Sequence, residues 1–175
     1  MFEDYLQDSY EFLTLAQNAS DEREARRFYR ASVFYALGAM EAFVNYIADS
    51  FAKAKSLTQH EIAFLNDKNL SFSAKKGKVI EKTEFHRLDD KLRLLLRKFA
   101  SDFDFKGASW FGFKKFKDFR DSLVHPRQMD DETSIKDYQN RLQIGLSGII
   151  DIMNFLSRGI FGKPLRKKLL DLVPE

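Results

Sequence analysis

Arg120 and His125 are the residues whose types and spacing suit chemistry. They stand five apart in Arg120-Asp121-Ser122-Leu123-Val124-His125-Pro126, with an acid directly after the arginine. A guanidinium donates two parallel hydrogen bonds to phosphate oxygens and keeps its charge. An imidazole takes and gives protons near neutrality. Together they meet the needs of RNA cleavage by its own 2′-hydroxyl. That reaction requires a base for the hydroxyl, a cation for the charge gathering at phosphorus, and an acid for the departing 5′-oxygen. No metal is required, which suits a chain without an obvious cluster of metal ligands. Asp121 and His125 are i and i+4, so on a helix the carboxylate can orient the imidazole and favour its protonated form. Arg120 and His125 lie about 140° apart around an ideal helix. Their convergence on one phosphate depends on the reach of the arginine and on Pro126, which disfavours helical geometry at His125. The plainer reading is a polar network that ties down the end of a helix.

Other residues can support such a site. Glu41 lies in the apolar middle of a long helix, where a carboxylate wants a cation; Arg120 is the expected partner, and a solvated seam is the alternative. Lys114, Lys115 and Lys117 precede Arg120 and are candidates to contact RNA phosphates, with plain solvation as the alternative. Trp110, Phe111, Phe113, Phe116 and Phe119 interleave with them; at helical spacing they fit a core or a dimer interface better than a base-stacking platform. His60 in a capping turn and His86 fit structural roles. The basic run from Lys163 to Lys168 fits a solvent-facing tail or an RNA or partner contact.

The Arg120 stretch resembles the R-[polar]-x-x-x-H signature of the HEPN superfamily, small helical proteins that include metal-independent ribonucleases. Arg120, Asp121 and His125 match at the level of the motif, and the helical core over about 21–158 matches in kind. Asp121 stands where family members commonly carry Asn. The resemblance implies a four- or five-helix bundle that forms a homodimer. Two motifs would meet in a shared cleft and cut single-stranded RNA without metal or other cofactor. It also implies a toxin, antiphage or stress effector, in some cases beside a nucleotidyltransferase-type antitoxin. Relatives that keep the fold without catalysis leave a non-catalytic RNA- or protein-binding module open. A plain helical scaffold with a coincidental motif is the third reading.

The elements that must position these residues read as helices throughout. Apolar spacing predicts a first helix over 2–18 and a second, capped by Ser20, running to about 54 and apolar on most sides at its middle. Thr58 and Glu61 form a capping box for a short third helix. Residues 66–78, with Asn, Ser, Gly77 and lysines, read as a long loop. A fourth helix is expected over 79–99, a fifth over 110–124 and a sixth, capped by Ser134, over 134–158, with Gly159 and Gly162 punctuating its end. The basic tail forms one last short helix. No strand pattern stands out. The expected fold is all-α, a single antiparallel helical bundle with its core in 21–158 and a basic tail over 163–175.

Composition sets the outer limits. The chain has 175 residues, 44% of them hydrophobic and 31% charged, as in a folded domain. It has no cysteine, which removes disulfides, thiolate catalysis and cysteine zinc sites. Net charge is only +3, so RNA contacts must come from local patches. The N-terminus lacks the layout of a signal peptide. Leu146 to Leu156, interrupted by Asp151 and Asn154, is short for a bilayer span. The expected setting is the cytoplasm, with no membrane partner.

Overall fold

Leu6, Ser9, Leu13 and Ala16 recur at helical spacing and are all buried, on helix α1 (Phe2–Gln17). This face lies along α2 (Glu22–Phe51), whose buried side runs from Ala25 through Tyr29, Val33, Leu37, Met40 and Val44 to Ala48. The two helices are antiparallel. Phe2 meets Phe43, Tyr5 meets Tyr35, and Phe12 meets Phe28, so numbers rise on one helix as they fall on the other. Midway, buried Ser9 and Ser32 satisfy each other: each hydroxyl donates to the other's carbonyl oxygen. The cap of α2 falls one residue later than expected. Asp21 accepts the Glu24 backbone N–H, while Ser20 donates to the Glu24 carboxylate. The structure, a computed structural model, describes residues 1–51, 56–124 and 133–172. The expected extension of α2 to 54 therefore lies outside the described residues.

The second helical hairpin is α5 (Ala108–Val124) with α6 (Ile135–Phe161). Ser109 reaches Asp151, and Phe119 packs on Tyr138, which fixes the antiparallel direction. The close approach depends on Gly145, where a Cβ would overlap the Phe116 ring. Helix α6 starts at its expected cap, Ser134, whose hydroxyl accepts the Asp137 N–H. It ends at Gly162 in the left-handed region, φ 66°. Gly159 lies inside the helix rather than after it. The hairpins meet through α2 and α6, which run parallel: Tyr29 stacks on Tyr138 near their starts, and Phe51 faces Phe161 near their ends. Helix α3 (Gln59–Leu65) has both bonds of its expected capping box. Helix α4 (Leu88–Phe99) buries Leu92, Leu95 and Leu96. A last turn, α7 (Lys167–Leu170), follows.

One region departs from the helical expectation. Residues 66–87 are neither a loop nor the start of α4. They contain an antiparallel hairpin, β1 (Lys68–Ser73) with β2 (Lys78–Thr83), in which Phe72 faces Val79 and Leu70 faces Glu81. Asp67 turns the chain out of α3 with φ 55°, and Gly77 closes the four-residue loop at φ 61°. The period-two alternation spans only a few residues on each strand, and lysines dilute it. That is why the fourth helix begins at Leu88 and not at 79. The all-α class otherwise holds. The late apolar segment is also longer than Leu146–Leu156. Both α2 and α6 are long and apolar enough to cross a bilayer, and about half of each apolar window is buried inside the bundle (56% and 50%).

Candidate functional site

Arg120 and Asp121 occupy the last described turn of α5. That helix is fixed from beneath by Trp110, Phe113, Phe116 and Phe119, all buried at helical spacing. The aromatic series is therefore mainly core. Phe111 alone is exposed, at 58%, with the Lys115 ammonium 4.4 Å from its ring centre. This anchoring leaves Arg120 half-buried on the side of α5 that faces α2.

There Arg120 meets Glu41. Its Nη2 donates to Glu41 Oε1 at 3.3 Å, across 79 residues of sequence. Glu41 is the expected partner, but its side chain is 51% exposed, so it sits on the solvated seam rather than within the core. A pair this exposed adds under about 1 kcal/mol to stability. Its consequence is positional, because the guanidinium is drawn toward α2. Arg120 Nε also lies 3.3 Å from Asp121 Oδ1, without hydrogen-bond geometry.

Asp121 is already engaged. Its Oδ2 accepts from Lys117 Nζ at 3.1 Å while Oδ1 faces Arg120. Glu41, Arg120, Asp121 and Lys117 thus form a continuous line of alternating charge. His125 lies outside the described residues, as does Pro126, so the expected pairing of Asp121 with His125 does too.

The three lysines do not share one face. Lys117 is buried, its ammonium between Asp121 and, at 3.9 Å, Asp118. Lys114 donates to buried Asp89 at 2.7 Å and ties α5 to the first turn of α4. Lys115 is exposed. Burial works to raise the Asp89 carboxyl, yet the Lys114 hydrogen bond and charge, with Arg87 nearby, hold it below the usual 3.8. The basic tail is likewise partly used: Arg166 and Lys168 both reach Glu3 at 3.2 Å.

Residues not anticipated from the sequence surround Glu41. A polar cavity of about 230 Å³ is lined by Glu41, Asn45, Asp67, His86 and Lys91, among others. Asn45 is i+4 from Glu41, a helical spacing that was legible. Lys91 is buried and pairs with Asp67 at 2.8 Å, and His86 is half-buried against Phe64, with ring centres 4.2 Å apart. Asp67 accepts the His86 backbone N–H, and its carboxyl also lies below the usual value: burial opposes this, but the His86 N–H and Lys91 outweigh it. His60 is exposed on α3, away from this constellation. No group of three or more His, Asp or Glu among the described residues is placed to hold a metal. The chain matches no family model, no curated protein sequence and no solved structure.

Proposed function

We propose that the protein is a metal-independent endoribonuclease of the HEPN kind, cutting single-stranded RNA where two copies of the motif meet. Arg120 clamps a phosphate and offsets the charge that builds at phosphorus. The 2′-oxygen forms its bond to phosphorus as the bond to the 5′-oxygen breaks. His125 handles the protons lost by the first oxygen and gained by the second. The products are a 2′,3′-cyclic phosphate and a 5′-hydroxyl.

The observation that carries this reading is the Glu41–Arg120 bridge. A partner on a separate long helix suits a phosphate clamp, because its planar fork works only in a fixed orientation. Glu41 holds one amino group and leaves the other for substrate. Of the three lysines, Lys115 is the exposed cation suited to phosphate, whereas Lys114 and Lys117 act through carboxylates. Val124, 44% exposed, supplies apolar area beside the motif for a second copy.

A second reading, an RNA- or protein-binding module without cleavage, is favoured by Asp121, whose two oxygens already face cations. A toxin role with a nucleotidyltransferase-type antitoxin, in the cytoplasm, belongs to the nuclease reading. The test is incubation of labelled single-stranded RNA with purified protein in EDTA, beside folded Arg120→Ala and His125→Ala. Cyclic-phosphate ends from the parent alone support the nuclease. Binding without cutting supports the module, and equal cutting by all three removes both residues from the chemistry.

A further inference from the structure

The β1–β2 hairpin is the most unbalanced part of the molecule. Its residues 68–83 contain five lysines and one glutamate, an excess larger than the +3 of the entire chain. The glutamate, Glu81, is taken by Lys68 at 2.8 Å. Lys75, Lys76, Lys78 and Lys82 are all exposed, and none forms an ion pair among the described residues. Two of them sit at the tip, beside Gly77. Lys78 and Lys82 lie on one face of β2, on either side of half-buried Ile80, as the register requires. The opposite face shows Phe72 and Val79 side by side, 69% and 61% exposed.

Neither feature is explained by the fold. A lone two-stranded ribbon is marginal in water, and an exposed Phe–Val pair stabilises it only weakly. The ribbon is held to the body mainly at its base, where Glu84 N–H donates to the Asp67 carbonyl and β1 packs on α3. The tip, from Ala74 to Val79, is exposed throughout.

From this we infer that the hairpin is a single-stranded RNA-binding arm, with the four free lysines on phosphates and Phe72 stacked on a base. Unscreened lysines on an exposed ribbon fit a polyanion, and a flat exposed aromatic on the other face, close to the Lys75–Lys76 tip, fits an unpaired base of a strand that passes round the tip. A duplex offers no open base face to Phe72. A bare acidic surface has no use for it. The inference rests on the RNA reading above but not on cleavage. The hairpin holds the strand, and the Arg120 stretch acts on it.

The test uses the full chain carrying His125→Ala, so that RNA stays intact, and a labelled single-stranded RNA read by fluorescence anisotropy over a salt series. The variants are Lys75→Gln with Lys76→Gln, Lys78→Gln and Lys82→Gln together, and separately Phe72→Ala. Circular dichroism and gel filtration verify the helical fold and the oligomeric state. Each phosphate contact on a single strand adds roughly 0.7 to the slope of log affinity against log salt. The quadruple variant is expected to lower that slope by up to about 3 and to weaken low-salt binding at least about ten-fold. Phe72→Ala is expected to weaken binding by about ten-fold with the slope unchanged. Unchanged affinity and slope in both variants would overturn the arm, even if the parent cuts RNA. Loss of binding to phosphatidylserine vesicles with RNA affinity intact would overturn it in favour of a membrane contact. Self-association of the lysine variant with RNA affinity intact would leave those lysines only the task of guarding strand edges. A parent that binds no RNA overturns the arm and the RNA reading together. Strong hairpin-dependent binding, with no cleavage by the parent that retains His125, keeps the arm and removes the nuclease.

Discussion

Arg120 has two carboxylate neighbours, and they are not equivalent. Asp121 is its sequence neighbour and is shared with Lys117, whereas Glu41 arrives from another helix and is half in water. Glu41→Gln should therefore leave stability within about 1 kcal/mol, as expected for an exposed pair. Cleavage should fall by about ten-fold through poorer orientation of the guanidinium. Thermal unfolding and single-turnover cleavage measure the two effects separately. Lys114 is the opposite case. Its loss leaves the buried Asp89 carboxylate with only Arg87, 3.4 Å away, so Lys114→Met should cost about 1–3 kcal/mol in denaturant unfolding, and adding Asp89→Asn should recover part of it. The same carboxylates set the acid limit. Asp89 and Asp67 titrate below their unfolded values in the folded state, so the unfolded chain binds protons first as pH falls. Their contribution is complete above the unfolded value of about 4 and is lost as pH drops through the lower folded values. Unfolding followed from pH 6 to pH 2 should show stability declining below about pH 4, with a shallower decline in Asp89→Asn.

Among the elements, the helices were legible because their signals are local and repeated. Leu6 to Ala16, the capping box at Thr58, the Ser134 cap and the aromatic ladder on α5 each restate one periodicity over several turns. The hairpin was not legible because its apolar residues, Leu70, Phe72, Val79 and Ile80, divide between two short strands whose pairing is a tertiary fact. The Glu41–Arg120 bridge was legible as a need of the carboxylate, but its exposure was not, since periodicity ranks faces without fixing the depth of a seam. The lysines show the same limit: their spacing gave no sign that Lys114 and Lys117 turn to Asp89 and Asp121. The α5–α6 crossing offers a test at this scale. Gly145→Ala places a methyl group against Phe116 and should destabilise by about 1–3 kcal/mol, whereas an alanine on the exposed face of α6, as in Lys136→Ala, should change stability by under about 0.5 kcal/mol. Chemical denaturation of both variants measures the contrast.

At the scale of the molecule, two antiparallel helical hairpins join through parallel α2 and α6, and the Glu41–Arg120 pair spans α2 and α5 at that junction. The positive charge lies off this body, on the projecting ribbon. In the proposed reading, such a division separates holding a strand from acting on it, with the rest of the chain close to neutral. Cleavage of RNA through the 2′-hydroxyl at the Arg120 stretch is the proposed activity. Its most direct test presents one oligonucleotide sequence as RNA and as the all-deoxy strand, in EDTA, to the parent and to His125→Ala. Only the RNA should be cut, and only by the parent. Cutting of the deoxy strand, equal cutting by His125→Ala, or an RNA left intact by the parent would contradict it.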